Sequence, residues 1–131
     1  MKTFVPVSAE VDDVARAVVD AAFRVHQVLG PGLLESVYET CLGHELKQRG
    51  HKVETQVSLP VVYDGVRLDA GLRLDMLVAA AVIVEIKSVE KTNPVYEAQL
   101  LTYLKLTGLR AGLLVNFNVP GIRDGIKRII L

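Results

Sequence analysis

The chain has 131 residues, fifteen basic and fifteen acidic side chains, and a hydrophobic half without tryptophan. That length suits one domain over residues 1–131 that can bury a core without metal or disulfide staples, and the zero net charge excludes a global field steering it toward polyanions. Cys41, the only cysteine, excludes an internal disulfide and a cysteine-ligated zinc or iron–sulfur site.

Apolar residues at Val11, Val14, Val18, Ala21, Ala22, Val25, Val28 and Leu29 recur at helical spacing, so residues 10–29 are predicted as a helix with Ser8 as N-cap. Its apolar face, with Val18, Val19, Ala21, Ala22 and Phe23, is broad enough either to cover a sheet or to join two copies as a homodimer. After Gly30-Pro31-Gly32, a second helix is predicted over residues 33–49. Its apolar side carries Leu34, Val37, Tyr38, Cys41, Leu42 and Leu46, the Cys41 thiol is expected to be buried, and Gly50 is the stop. From residue 52 to 88 the pattern turns to strands. Residues 52–59 alternate, and residues 61–63 and 66–68 flank Asp64-Gly65, a strong hairpin signal. Residues 71–78 and 81–87 form the next pair around Ala79-Ala80, a weak turn sequence. Residues 95–107 read as a helix ending at Gly108, residues 111–117 as a buried strand, and residues 127–131 as a short last strand. The order predicts an α+β fold with helices covering a mixed sheet. Uncharged stretches such as residues 76–84 fall far short of the roughly 20 residues that span a bilayer, and the first residues lack a basic region followed by an apolar block. A cytoplasmic protein is therefore expected.

The chemistry concentrates where ionisable groups interrupt apolar segments. In Val82-Ile-Val-Glu-Ile-Lys87 the acid and the amine stand where apolar side chains would be expected, and on a strand Glu85 and Lys87 project to the same face. Their separation of roughly 6–7 Å suits sharing a metal, water or phosphate better than a tight ion pair, although an internal pair is the structural alternative. Asp75 precedes them by ten residues. If residues 71–78 and 81–87 are adjacent antiparallel strands, Asp75 and Glu85 can converge on a magnesium ion, which needs only one or two carboxylates beside substrate and water. The Ile86 carbonyl is a further candidate oxygen ligand, and Lys87 is a candidate to orient or deprotonate water. Glu35 adds a third acid; Gly32, Glu35 and Tyr38 are spaced to share one helix face that would look into the site, and a capping role suits Glu35 equally. Gln99 and Tyr103, four apart, lie on one face of the third helix, either at a nucleotide or in the core. Lys91, Arg110, Arg123, Lys127 and Arg128 form either a local phosphate-facing patch or plain solvated surface. His26, His44 and His51 lack metal-ligand spacing, and Asn116 and Asn118, at the end of the strand predicted over residues 111–117, suit a turn or else a ligand contact.

Five segments in order, Gly30-Pro-Gly-Leu-Leu-Glu-Ser-Val-Tyr38, Arg73-Leu-Asp75, Val82-Ile-Val-Glu-Ile-Lys87, Glu97-Ala-Gln-Leu-Leu-Thr-Tyr-Leu-Lys-Leu-Thr-Gly108 and Leu113-Leu-Val-Asn-Phe117, make the chain resemble the GxxExxY family, a branch of the PD-(D/E)XK nuclease superfamily. The resemblance implies a restriction-endonuclease-like α-β-β-β-α-β core. It implies a Mg²⁺- or Mn²⁺-dependent nuclease acting on nucleic acid, DNA foremost, with Asp75, Glu85 and Lys87 as the catalytic and metal-binding signature, Glu35 as the helical acid before it, and Gln99 and Tyr103 as a Q-x-x-x-Y element. Two departures limit it: Leu74 replaces the nominal proline, and Tyr96 stands where relatives are expected to carry histidine. The rival expectation is a catalytically silent nuclease-fold module that binds nucleic acid or a protein partner.

Overall fold

The computed structural model describes residues 5–131. Helix α1 (Ala9–Leu29) begins where the Ser8 side chain accepts a hydrogen bond from the Val11 amide. It lays Ala15, Val18, Ala21, Ala22 and Val25 into the core. The broad apolar face is thereby largely used within the chain, and Phe23 is left partly exposed. Helix α2 (Glu35–Gln48) starts two residues later than the spacing suggested, because Gly30-Pro-Gly and the two following leucines are held outside it. The Tyr38 hydroxyl donates to the Gly30 carbonyl at 2.6 Å and accepts from the Leu33 amide at 3.1 Å.

Strands β1 (Val53–Tyr63) and β2 (Val66–Val78) form one long antiparallel hairpin, so the two short pairs expected here are fused. Asp64-Gly65 is its turn, with both residues at positive φ. Strand β3 (Val82–Lys87) runs antiparallel to β2 beyond Ala79-Ala80, where the two alanines also take left-handed φ values of 53° and 51°. Helix α3 (Pro94–Thr107) is capped by the Asn93 side chain and ends at Gly108, whose φ of 74° glycine adopts at no steric cost. It returns the chain to β4 (Ala111–Asn116), parallel to β3, and a short 3₁₀ turn (Ile122–Gly125) leads into the edge strand β5 (Ile126–Ile130). The five-stranded sheet has the order β1-β2-β3-β4-β5, and only its β3–β4 pair is parallel.

The sheet is covered on both faces. One face packs Met76, Val78, Val84, Ile86, Leu113 and Val115 against α1 and α2; the other packs Leu74, Ile83 and Leu114 against Leu100, Tyr103 and Leu104 of α3. Strand alternation explains the division in β3 and β4, whose odd and even residues serve opposite layers, whereas in β2 Leu74 and Met76, on either side of Asp75, fall in opposite layers. Gly112 lets α3 approach β4: a Cβ there would lie 2.9 Å from a Leu100 methyl. No helix among the described residues is long and apolar enough to cross a membrane.

The basic patch does not form as a unit. Arg110 donates to the main chain at Pro6 and Leu131, Arg128 pairs with Asp12 at 2.7 Å, and Lys127 pairs with Glu97. These cations fasten elements to one another.

Candidate active site

The β2–β3 ladder runs through Val78↔Val82, Leu77↔Ile83 and Met76↔Val84 and stops there. The next row would set Asp75 opposite Glu85, and here side chains take over from the backbone. The Asp75 amide donates to Glu85 Oε1 at 3.3 Å, and the Ile86 amide donates to Asp75 Oδ2 at 2.8 Å. The same row is irregular on the far side of β2. Thr55 pairs with Met76 and Val57 with Leu74, while Gln56 between them stands at a left-handed φ of 51° outside the register. A single line across three strands, Gln56–Asp75–Glu85, therefore exchanges backbone pairing for polar side chains.

Glu85 is 5% exposed, and its carboxyl is pushed up to about 8 by burial first and by the neighbouring Asp75 charge second, with Lys87 pulling weakly the other way. Asp75 is half-buried beside it. Two acids with so little compensating charge form a pair that a divalent cation would complete, so the donor set fits a hard, oxygen-seeking ion. Asp75 and Glu85 would hold it, beside the Ile86 carbonyl. Among the described residues no three His, Cys, Asp or Glu side chains converge tightly enough to hold an ion by themselves.

Glu35 stands at the N-terminus of α2 and reaches over β3, accepting from the Ser88 amide at 3.3 Å, while Ser88 Oγ donates to the Leu33 carbonyl at 2.6 Å. The expectation that Gly32, Glu35 and Tyr38 share a helix face looking into the site is corrected. Gly32 precedes the helix, and Tyr38 is fully buried, its ring stacked on Phe117 with centroids 4.4 Å apart. The motif tyrosine holds the loop that delivers Glu35.

Lys87 is half-buried on the same face of β3 as Glu85. No ion pair joins it to Glu85 among the described residues; its ammonium lies 4.5 Å from the centroid of the Tyr96 ring. From α3, Tyr103 is buried, and its hydroxyl is raised above the usual phenol range by burial first and then by the Glu85 and Asp75 charges, while a Gln99 hydrogen bond works against the rise. Gln99 itself is exposed.

Two polar residues at the site were absent from the sequence reading. Glu39, one turn beyond Glu35 on α2, receives both hydrogen bonds of the Gln56 amide, at 3.2 and 3.1 Å. Its carboxyl is raised by burial first and further by Asp75 and Glu35, against the lowering effect of Gln56. The i,i+4 spacing from Glu35 was the available signal for Glu39; Gln56 gave none, since its place depends on the broken strand row. Asn116, read as a turn residue, is buried and grips the loop after β3. It accepts from the Val89 amide at 3.1 Å and donates to the Val89 carbonyl at 3.0 Å. His26 Nε2 donates to the Val119 carbonyl at 2.8 Å, a structural use.

A family model described as the PD-(D/E)XK nuclease superfamily matches residues 12–129. The chain belongs to the PD-(D/E)XK nuclease superfamily. Its α+β arrangement is the restriction-endonuclease-like fold of that superfamily, a mixed sheet flanked by helices. Membership suggests nuclease activity, nucleic acid as partner and dependence on a divalent metal; PD-(D/E)XK proteins can also be inactive. No curated protein and no solved structure matches the chain.

Proposed function

We propose that this PD-(D/E)XK chain is a GxxExxY-type nuclease that hydrolyses phosphodiester bonds of DNA with Mg²⁺ or Mn²⁺, residues 1–131 acting as one domain. The observation that carries the reading is the unlaced row at Asp75 and Glu85, where two carboxylates face each other across adjacent strands with Lys87 on the same side of β3. Asp75 and Glu85, with the Ile86 carbonyl and Glu35, would hold the metal. The bound ion would polarise the phosphoryl oxygen and make a bound water acidic enough to attack. To hold the ion Glu85 would have to be the carboxylate, so binding would be coupled to release of the proton that burial and the Asp75 charge favour there. As an ammonium, Lys87 faces the charge that develops on the phosphoryl group and orients the water through its N–H donors; the alternative role, taking the proton of the water, requires the neutral amine. Gln99 and the Tyr103 hydroxyl hold the nucleotide or the base that receives the proton.

Incubation of supercoiled plasmid, single-stranded DNA and RNA with Mg²⁺ or Mn²⁺ tests the reading. Wild type is expected to cut DNA, and Asp75→Ala and Lys87→Ala to lose about 10³-fold in rate, the usual scale for removing a group that acts on transition-state charge, while circular dichroism remains that of a folded chain. Equal cleavage by all three proteins contradicts the assignment. A silent nucleic-acid-binding module is the second reading, favoured by the fact that Asp75 Oδ2 and Glu85 Oε1 already accept backbone amides. Binding without cutting under either metal would select it.

A further inference from the structure

Lys87 could have been neutralised by any of several acids. Glu85 lies two residues before it on the same face of β3, and Glu97 and Asp124 line the same cavity of about 510 Å³ as Lys87, Tyr96 and Lys127. The ammonium pairs with none of these. Glu97 is engaged by Lys127 from β5, and the Lys87 Nζ rests over the Tyr96 ring, 4.5 Å from its centroid and well inside cation–π range. The Tyr96 backbone is anchored in the first turn of α3, where its amide donates to the Asn93 carbonyl at 2.9 Å, and its partly buried side chain packs against the core on that face of the sheet.

From this geometry we propose that Tyr96 is the positioning residue for Lys87. It holds the cation against an aromatic face, so that the amine is aimed without losing its charge to a carboxylate. The physical reason for an aromatic residue is specific. A carboxylate partner would cancel the field Lys87 directs at a substrate phosphate and occupy its N–H donors, whereas a π face attracts the cation and leaves donors free. Lys87 carries a flexible four-carbon stem rich in rotamers, so an amine lacking the ring would sample positions away from the reacting phosphate. The catalytic consequence rests on the nuclease reading; the contact itself does not.

The test uses the full chain in three forms: wild type, Tyr96→Phe, which keeps the ring, and Tyr96→Leu, which keeps apolar cover without it. Proton–carbon correlation spectra of the Lys87 ε-methylene read the ring directly. The expected result is an upfield ring-current shift in wild type and Tyr96→Phe that is lost in Tyr96→Leu. In plasmid cleavage with Mn²⁺, kcat is expected to fall about tenfold in Tyr96→Leu, the scale of a partly desolvated cation–π contact, with KM unchanged and the rate restored in Tyr96→Phe. A Lys87 ε-methylene at its random-coil shift in wild type, or a Tyr96→Leu enzyme with wild-type kcat, overturns the proposal. If wild type cuts no nucleic acid, the nuclease reading fails on that result, and the spectra alone decide whether Tyr96 holds Lys87.

Discussion

The two ends of the short β2–β3 ladder are built from opposite materials. At the turn end, Met76, Val78, Val82 and Val84 are fully buried, and the two backbones pair in regular antiparallel register. One row further on, Asp75 and Glu85 replace that lacing with carboxylates that each accept an amide from the other strand. The strands thus remain joined while their acidic oxygens become available, and the sheet concentrates polar groups in one row without unsatisfied buried side-chain atoms among the described residues. A rigid apolar ladder beside a polar opening is how a small fold can hold two acids together: the closed end supplies the stability that the open end lowers.

Truncation at the closed end should have the largest effect on stability. Met76→Ala removes a fully buried side chain of the core that lies on the α1 and α2 face of the sheet, its methyl close to Gly43 of α2, and it is expected to cost about 2–5 kcal/mol in urea unfolding, while cleavage per folded molecule stays near wild type. Loss of cleavage at full stability would erase the distinction between the ends.

The open end should instead reveal itself through pH. The folded-state pKa of Glu85 is raised from 4.5 to about 8, so below pH 4.5 the carboxyl is protonated in folded and unfolded chains alike. Between those values the unfolded chain releases a proton that the folded chain keeps, and metal-free stability falls as pH rises, levelling off above about 8. Glu85→Gln is expected to flatten that slope and to be the more stable protein at pH 8. A denaturation series giving parallel pH profiles for the two proteins would contradict the buried-acid account. Mn²⁺ should restore wild-type stability toward that of Glu85→Gln at high pH and leave the variant little changed.

The smallest effect lies in the turn that closes the ladder. Ala79 and Ala80 hold left-handed φ values that Asp64-Gly65 meets with better-suited residues in the other hairpin. Ala80→Gly is expected to stabilise the chain by about 0.5–1 kcal/mol, read as a higher Tm with unchanged cleavage.

The element order was legible because each segment's period is local. Helical spacing in α1, the Asp64-Gly65 turn and the apolar run of β4 each show in residues that are near neighbours along the chain. Asp75 and Glu85 were legible for a related reason, as charges placed in apolar segments. What the sequence could not display depends on which residues the sheet brings opposite one another. Gln56 reaches Glu39 because a strand row is broken, and Lys87 meets Tyr96 because α3 begins beside the end of β3. Arg128 and Lys127, which resembled a phosphate patch, are bound to Asp12 and Glu97 from distant helices. Tyr38 was assigned to the site by its spacing from Glu35, yet burial turned it inward onto Phe117.

The central claim is that Asp75 and Glu85 together form a divalent-cation site. Calorimetric titration of Mn²⁺ into wild type and into the Asp75→Ala/Glu85→Ala double variant at pH 8 tests it most directly. The account predicts saturable binding of one ion to wild type and none to the double variant. Identical isotherms for the two proteins would contradict it.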